Sequence, residues 1–363
     1  MLNNAFISDY TGLNKVSKNL IIGGNFTTNP WQRGTTFASI ATATYSADRM
    51  LTTYVTTAVT DISQATDSPT ITEAAIYSVN AYKIAVTAAD GAIAAGDFYI
   101  ATQRIEGYTF TNIAQRSFTL SFWVKAVKTG IYCVSFVNSG ADRSYVAEYT
   151  INTTNTWEKK TITVTASPSA GTWNYTNGIG LSVNFALAVG STFQTTANAW
   201  NVGNFYGTSN QVNGLDSNTN TFNLALIQIE SGSVATPFEQ QLIENVLLDC
   251  QRYYQKTFAQ GVTPAQASGT QVGAIAYRAT LATALANGQS WRFTEPMRTT
   301  PTMTFYNPVS ANTTWYNVTG AADSGASSAI STGDRAVYVS NAQVAGDAAT
   351  NVLSIHASAD AEL

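Results

Sequence analysis

The sequence TFNLALIQIESGSVATPFE at residues 221–239 runs directly into QQLIENVLLDCQRYYQK at residues 240–256. From Phe222 to Ile229 apolar side chains alternate across an extended chain, and Gln228 interrupts one of the two faces. Such alternation is typical of a strand with at least one buried face. The first half of the stretch therefore predicts a strand that ends where a helical pattern begins.

The second half carries the one long helical pattern in the sequence. Apolar residues recur there at helical spacing: Ile243, Val246, Leu247, Cys250, Tyr253 and Tyr254. Thr236 and Glu239 have the spacing of a capping box, and Pro237 suits the first helical position. We predict a connecting helix over residues 240–258. The spacing of Ile243, Leu247, Cys250 and Tyr254 is also that of a coiled-coil seam, which suits a helix on a three-fold axis.

Strand patterns dominate the chain before this seam. Residues 19–239 contain many short strand signals that alternate with turn residues, and no helical pattern separates them. The clearest predicted strands are 118–124, 131–137, 145–151, 160–164 and 181–187. Closely spaced strands of this kind favour an antiparallel jelly-roll β-sandwich over a βαβ sheet.

A second β-rich block follows the helix. Residues 259–363 predict a C-terminal β-sandwich domain, so the fold class is all-β with one short connecting helix. Its predicted strands are 274–286, 290–293, 302–306, 314–318, 336–339 and 352–356, with loops over 319–335 and 340–351. Residues 1–18 are weakly patterned and predict an N-terminal arm or docking segment.

Composition narrows the functional classes. Charged residues make up 11% of the 363 residues, against about a quarter in typical domains. A net charge of −4 gives no footprint for nucleic acid, and no segment approaches the ~20 apolar residues of a membrane span. We therefore predict neither nucleic-acid binding nor membrane insertion, and we see no signal peptide. Cys133 and Cys250 are interpreted as buried free thiols.

Catalytic signatures are sparse. His356 is the single histidine, which argues against histidine-based zinc sites and catalytic relays, and no nucleotide-binding or paired-cysteine motif occurs. Paired carboxylates of a glycoside hydrolase remain an alternative, with these candidates: Glu106, Glu148, Glu158 and Glu230. Nearby arginines and lysines make local ion pairs the simpler interpretation for the first three. We predict that the protein is not an enzyme.

Sugar binding requires exposed rings and amide groups. Residues 173–220, here called the aromatic excursion, interrupt the strand rhythm with rings and asparagines. The candidate glycan-binding residues within it are Trp173, Tyr175, Asn198, Trp200, Asn204 and Tyr206. The alternative is that these rings attach a long loop to the sandwich. The two interpretations differ in whether the rings face solvent or pack on the sandwich.

Several short motifs occur together in one order. They are NLIIGGNF at 19–26, WQRGT at 31–35, YSADR at 45–49, QRIEG at 103–107, LSFWVK at 120–125, QIESG at 228–232, VATPFE at 234–239 and CQRYY at 250–254. Downstream, WRF at 291–293 precedes MRTTPT at 297–302. Together this set resembles carbohydrate-binding-module-like jelly rolls of bacteriophage tail fibres and other virion appendage proteins.

The resemblance implies a galactose-binding-like β-sandwich, a connecting helix and a distal β-domain, usually in a homotrimer. It also implies location on the virion and other virion proteins as partners, with residues 1–18 or the sandwich itself as the part that attaches to the particle. The implied function is non-catalytic recognition of host-surface polysaccharide by a tail fibre or tip. The alternatives are a capsid-attached decoration or head fibre and, second, a polysaccharide hydrolase. Related modules hold structural calcium near their opening motif, but GNFT at 24–27 lacks a carboxylate, so no cofactor is predicted.

The polar motif residues also have a structural interpretation. The polar motif residues are Trp31, Arg33, Asp48, Arg49, Arg104 and Glu106, and opposite charges recur at short range among the last five. Buried charges must be paired, so these residues are expected to form an ionic and aromatic network that fixes the edges of the jelly roll.

Overall fold

A computed structural model describes residues 18–279, 287–344 and 346–363. The predicted N-terminal arm therefore lies outside the described residues except for Lys18. In chain order the strands before the main helix are β1 (Thr36–Phe37), β2 (Thr44–Tyr45), β3 (Met50–Val55), β4 (Val59–Ala65), β5 (Ala81–Ala88), β6 (Phe98–Glu106), β7 (Phe118–Ala126), β8 (Gly130–Asn138), β9 (Arg143–Ile151), β10 (Glu158–Val164), β11 (Ile179–Val189), β12 (Trp200–Val202) and β13 (Thr221–Ser231). Two single-turn helices, α1 (Ile71–Ala74) and α2 (Gly107–Phe110), lie between them.

These strands form a β-sandwich, as predicted. Sheet I has the order β1-β4-β5-β13-β7-β10, and sheet II has the order β12-β9-β8-β11-β6-β3-β2. Alternate side chains of both sheets fill the space between them. Phe122 of sheet I meets Phe185 of sheet II edge to face at 5.1 Å, and Phe118 meets Phe136 in the same way at 5.2 Å. The core therefore depends on interlocked aromatic rings contributed by both sheets.

β13 is buried on both faces and carries an irregularity at its centre. The pairing with β7 shifts between Ala225 and Gln228, and Leu226 adopts a left-handed conformation with φ 50°. The amide of Ile227 then donates to the carbonyl of Gly24 instead of to a strand neighbour. A bulge of this kind explains why Gln228 breaks the alternation seen in the sequence.

The C-terminal residues form a second β-domain with its own core. Its strands are β14 (Tyr254–Lys256), β15 (Ile275–Arg278), β16 (Asn287–Arg292), β17 (Thr302–Tyr306), β18 (Thr314–Asn317), β19 (Ala322–Ile330), β20 (Ala336–Asn341) and β21 (Val352–Asp360). They join in sheet III, where β14, β15, β17 and β18 all pair with β21. Trp315 is fully buried at its centre and donates from Nε1 to the carbonyl of Ser340.

One predicted loop in this domain is wrong. Residues 319–335 were expected to be a loop, but Ala322–Ile330 forms β19 between β18 and β20. Its alanine, serine and glycine side chains are too small to give a period-two pattern, so the pairing with its neighbours determines the strand. The predicted strand 274–286 is described only to residue 279.

The main helix, α3 (Ile243–Gln251), is shorter than the predicted segment and starts later. The predicted capping box is wrong: Leu242 is the N-cap, and it makes no side-chain capping bond. Thr236 instead donates to the buried Glu230, and Glu239 accepts from the amide of Asn19. The side chains of Thr236 and Glu239 are therefore bonded to the sandwich, at Glu230 and Asn19, and are not available to cap the helix.

The residues of the predicted coiled-coil seam do not form one exposed face of the helix. Cys250 is buried beneath the helix, and Tyr254 has left it for β14, where it is also buried. The exposed apolar side chains of this region are Leu242, Ile243 and Leu248. The trimer stays a prediction. Cys133 and Cys250 are buried free thiols, as predicted, and no described helix is long and apolar enough to cross a membrane.

His356 is fully buried in β21 and has a structural environment. Its ring stacks on Phe258 at 4.0 Å, Nε2 lies 3.1 Å from the carbonyl oxygen of Thr270, and Nδ1 lies 2.9 Å from the hydroxyl of Thr257. A carbonyl oxygen only accepts, so Nε2 carries the proton and Nδ1 accepts from Thr257. Burial lowers the pKa of this imidazole below its ordinary value of 6.5.

We expect His356 to make the C-terminal domain less stable in acid. The unfolded chain binds a proton at this residue near pH 6.5, whereas the folded chain binds it only at lower pH. The free energy of unfolding should therefore fall as the pH drops below about 6.5, by up to about 1.4 kcal/mol per pH unit from this one group. Urea unfolding at pH 7.5, 6.5 and 5.5 should show a smaller pH dependence in His356→Asn. An equal slope in both proteins would contradict the assignment.

Candidate functional site

Five charged residues of the sequence motifs lie at the junction between the two β-domains: Arg33, Asp48, Arg49, Arg104 and Glu106. Arg49 is 1% exposed and forms an ion pair with Glu362, which is 5% exposed. Its guanidinium lies 3.5 Å from the ring centroid of Tyr253 and donates at 2.6 Å to the carbonyl of Arg104. Arg49 thus joins the sandwich to the last strand region of the C-terminal domain.

Arg33 and Glu106 extend this junction on either side. Arg33 pairs with Asp48 at 3.5 Å and Asp360 at 3.0 Å. Glu106 accepts from both Nε and Nη2 of Arg252 at 2.8 and 2.6 Å, and from the hydroxyl of Tyr253 at 2.6 Å. The charged motif residues are buried and paired, as predicted, but most of their partners lie in the C-terminal part of the chain. The predicted role was wrong: these pairs fix the second domain to the sandwich rather than one jelly-roll edge to another.

Trp31 and Arg104 have separate roles in the same region. Trp31 packs in the sandwich core beside Phe26 and Tyr82 and donates to the carbonyl of Phe26. Arg104 donates to the carbonyl of Leu363. Burial raises the pKa of Asp48 above its ordinary value, because the charged carboxylate loses its hydration. Arg33 and Gln32 stabilise the charge but only partly offset this effect. The partners of these charged groups all lie within the chain, so the ion pairs and hydrogen bonds at the junction are internal.

The four candidate carboxylates lie on four different strands. Within sheet I, Glu230 pairs with Thr119 and Glu158 pairs with Val124, five residues further along β7. That separation is about 17 Å along the strand. Catalytic carboxylate pairs lie about 5–10 Å apart, so these two do not form one.

Sheet II separates the other two in the same way. Glu106 pairs with Ile179 on β11, whereas Glu148 lies opposite Cys133, which itself pairs with Ala186 on β11. Seven residues along β11 amount to about 23 Å. Each carboxylate also accepts hydrogen bonds from its own donors. Burial alone would raise the pKa of Glu158, but the ammonium of Lys160 and the amides of residues 152–153 together lower it to about 2.

Three of the six predicted glycan-binding residues form one aromatic cluster. Trp173 and Tyr175 stack on the buried Phe110 at 5.2 and 6.0 Å, and Trp200 meets Trp173 edge to face at 5.7 Å. The indole N–H groups of Trp173 and Trp200 donate to the carbonyls of Ala170 and Thr165. The cluster packs one edge of the excursion against the sandwich, and Tyr175 keeps 40% of its surface exposed.

The remaining three lie away from this cluster, on the side of sheet II that faces away from the core. Tyr206 packs with Phe98 and Phe193, and Asn204 donates to the Tyr206 hydroxyl at 2.9 Å. Asn198 is exposed and has a left-handed backbone conformation with φ 63°. Its backbone N–H donates to the carbonyl of Val146. The six residues therefore do not form one site: Trp173 and Trp200 pack against the core between the sheets, whereas Tyr206 packs on the opposite face of sheet II. Several of their polar groups are already bonded within the chain. Their role in sugar binding stays a prediction.

An open groove crosses the outer face of sheet I, which the sequence did not single out. One row of side chains runs across four neighbouring strands: Ser63 on β4, Lys83 on β5, Asn223 on β13 and Lys125 on β7. Their strand neighbours Ile62, Ile84, Leu224 and Val124 point into the core, so this row points away from it. The cavity above the row has a volume of about 540 Å³, which is within the range of ligand sites.

Short side chains at several positions beside this row leave room for the groove. Thr221 and Ala85 lie opposite each other in the next row on one side. On the other side Ala65 pairs with Ala81, and Ala225 pairs with Trp123. A polar row bordered mainly by alanines leaves a depression, which we call the sheet-I groove.

The polar groups of the groove are largely unbonded. Among the residues that the structure describes, no partner hydrogen-bonds the side chains of Ser63, Lys83, Asn155 or Thr221, which line it. Asn223 donates from Nδ2 to the carbonyl of Lys125 at 3.1 Å, and no described group donates to its Oδ1. The groove therefore presents hydroxyl, amide and ammonium groups toward solvent and toward any ligand.

An aromatic residue borders the groove at one end. The indole of Trp157 donates to Asp67 at 3.1 Å, and Asp67 also forms an ion pair with Lys125. The ammonium of Lys125 lies 5.4 Å from the Trp157 ring centroid. Partial burial lowers the pKa of Lys125. Trp157 belongs to the same apolar cluster as Trp123 and Ala225, so its ring is held at the groove edge.

Metal chemistry finds no support in the described part of the chain, where no three histidine, cysteine or acidic side chains are grouped as ligands. The chemical repertoire of the sheet-I groove is hydrogen bonding, charge and ring contact.

No protein-family model matches this chain, and no curated protein sequence matches it. Among solved structures it is similar to the enzymatically active domain of bacteriophage CBA120 tailspike protein 4, with 14% identity and a TM-score of 0.32 over 59% of this chain and 22% of that chain. It is also similar to the carbohydrate-binding module TmCBM61 in complex with β-1,4-galactotriose (8% identity, TM-score 0.30, 60% of this chain and all of that one). A putative sugar-binding protein from Bacteroides thetaiotaomicron gives 14% identity and a TM-score of 0.31 over 59% of this chain and 100% of that chain. The strand pairings, and not these likenesses, establish the β-sandwich.

Proposed function

We propose that this protein is a non-catalytic glycan-binding module of a phage virion appendage, and that the sheet-I groove holds the glycan. The observation that carries the proposal is the set of unbonded polar side chains in a groove of ligand size. Hydroxyl groups of a sugar both donate and accept, so they match the hydroxyls of Ser63 and Thr221 and the free Oδ1 of Asn223. Trp157 at the edge adds an apolar surface for the CH face of a ring.

Filling the groove should abolish glycan binding while leaving the fold intact. Ser63→Tyr places a large side chain on the polar row, and we expect at least about a tenfold loss of affinity, since direct ligand contacts are displaced. Purified protein would be screened on an array of neutral and acidic bacterial polysaccharides, and the affinity for each bound polysaccharide measured by calorimetry. Thr161→Tyr is the matched control, because Thr161 is exposed on β10 of the same sheet face but lies outside the groove.

The same assay compares the two candidate sites. Loss of binding in the double variant Trp173→Ala/Trp200→Ala, with Ser63→Tyr unaffected, would assign the glycan to the aromatic excursion instead. Failure of the unmodified protein to bind any polysaccharide would overturn glycan recognition. Release of new reducing ends from a bound polysaccharide would overturn the non-catalytic part and favour the hydrolase alternative.

The virion location and the homotrimer rest on the motif resemblance. Antibody labelling of phage particles would distinguish a tail fibre from a capsid-attached decoration or head fibre. Sedimentation equilibrium of the purified chain would measure the number of subunits, and a monomer at micromolar concentration would contradict the trimer.

A further inference from the structure

The sheet-I groove contains a lysine without a counter-ion. Lys83 is half-buried at the centre of the polar row, between Ser63 on one side and Asn223 on the other. In the described parts of the chain it makes neither an ion pair nor a hydrogen bond. A partly desolvated ammonium with no partner is unfavourable compared with one that is paired, so this position favours a ligand that brings a negative charge.

A second lysine lies in the same row. Lys125 is separated from Lys83 by Asn223, so their α-carbons are two strand spacings apart, about 10 Å. Both side chains are long and flexible enough for their ammonium groups to approach one anionic group between them. Asn223 at this midpoint can accept from a hydroxyl beside that group.

The charge balance of the groove is positive although the chain as a whole is acidic. The charged residues that line it are Lys83, Lys125 and Asp67. Lys125 and Asp67 form an ion pair, so Lys83 supplies the net positive charge, and the second oxygen of Asp67 accepts from Trp157. Asp61, one row away on β4, accepts from the amide of Ser39. The net charge of the whole chain is −4. A positive groove in an acidic protein selects for anionic ligands in that one place.

From this arrangement we propose that the glycan held in the sheet-I groove is an anionic polysaccharide whose carboxylate or phosphate group lies between Lys83 and Lys125. The inference rests on the proposed glycan-binding function and specifies its substrate class. A planar carboxylate on a sugar ring would take a charge-assisted hydrogen bond from Lys83, while ring hydroxyls bond to Ser63, Thr221 and Asn223. Recognition would then combine one charge contact with several neutral ones.

Three variants test the proposal. Lys83→Gln should weaken binding of an anionic polysaccharide by about tenfold or more, because a charge-assisted hydrogen bond is lost. Lys83→Arg keeps the charge and should retain most of the affinity. Lys159→Gln is the matched control, because the substitution removes the same charge from the protein. Lys159 is exposed on β10, on the same face of sheet I but outside the groove. The substitution should change affinity by less than about twofold, since exposed long-range charges are screened by salt.

The probes are the polysaccharides bound on the array, each compared with its own uncharged derivative. Reduction of uronate carboxylates to alcohols tests the carboxylate source, and phosphatase or hydrofluoric acid treatment tests the phosphate source. Loss of binding after either treatment, together with the Lys83→Gln defect, supports the proposal. Binding of neutral polysaccharides with no effect of Lys83→Gln overturns the anionic preference but leaves glycan recognition intact. Equal losses in Lys83→Gln and Lys159→Gln also overturn it, since they indicate unspecific attraction, and no binding to any polysaccharide is a failure of the proposed function itself.

Discussion

Arg49→Met should lower the free energy of unfolding by about 3–5 kcal/mol and loosen the attachment of the C-terminal domain. The substitution would leave the buried carboxylate of Glu362 without its main ion-pair partner. That carboxylate is almost fully buried, and among the described residues Arg33, at 3.3 Å, would be its one remaining ion-pair partner. The Tyr253 ring and the Arg104 carbonyl would also lose their contacts with Arg49. Methionine fills much of the volume of arginine, so the effect reports on charge more than on a cavity. Urea unfolding followed by tryptophan fluorescence measures the stability, and limited proteolysis measures exposure of the junction.

The control for Arg49→Met is Arg143→Met. Arg143 lies nearer the surface and its guanidinium is 4.0 Å from Asp142, so this replacement should cost less than about 1 kcal/mol. Equal stabilities for Arg49→Met and the unmodified protein would show that the junction does not depend on the buried pair. Since that pair joins β-domains formed by distant parts of the chain, a larger solution radius by X-ray scattering should accompany the loss of stability.

The sequence predicted the β-sandwich well because its strands alternate strongly. Segments 118–124 and 302–306 were assigned from period-two patterns, and the structure extends the first to Phe118–Ala126 and confirms the second as Thr302–Tyr306. Elements whose residues carry weak patterns were assigned poorly. The strand Ala322–Ile330 has no large apolar side chain until its last residue, and α3 begins without a capping side chain. In both cases neighbouring elements, and not the local sequence, determine the structure.

The candidate site was harder to predict, and the reason is geometric. Lys83, Lys125 and Asn223 are far apart in the sequence and become one row only through the pairing of β5, β13 and β7. One signal was present in the sequence: each of these polar residues stands between core residues of a strand, where a period-two pattern places it on the outer face. The aromatic excursion predicts sugar binding from its rings alone, yet most of these rings contact one another or the sandwich.

Gly24→Ala should destabilise the sandwich by about 3 kcal/mol, although it adds a single methyl group. A β-carbon at Gly24 would lie 2.2 Å from the carbonyl oxygen of Ile227 and 3.0 Å from Cγ2 of Ile21. The backbone cannot yield easily, because the amide of Ile227 donates to the carbonyl of Gly24 at 3.0 Å beside the bulge at Leu226. Thermal and urea unfolding should both show the loss.

Gly91→Ala is the matched control, since a β-carbon there would meet no atom within 4 Å. Its effect should stay within about 0.5 kcal/mol, because an exposed glycine that adopts ordinary backbone angles loses nothing on gaining a methyl group. The comparison decides what the opening motif NLIIGGNF does. If Gly24→Ala unfolds the sandwich and Gly91→Ala does not, the motif is required for close packing of the first segment on β13. If Gly24→Ala instead keeps full stability but loses glycan binding, the packing explanation is wrong and the motif belongs to a binding site. Because the close approach is to a backbone carbonyl that no side-chain movement can relieve, we expect the first result.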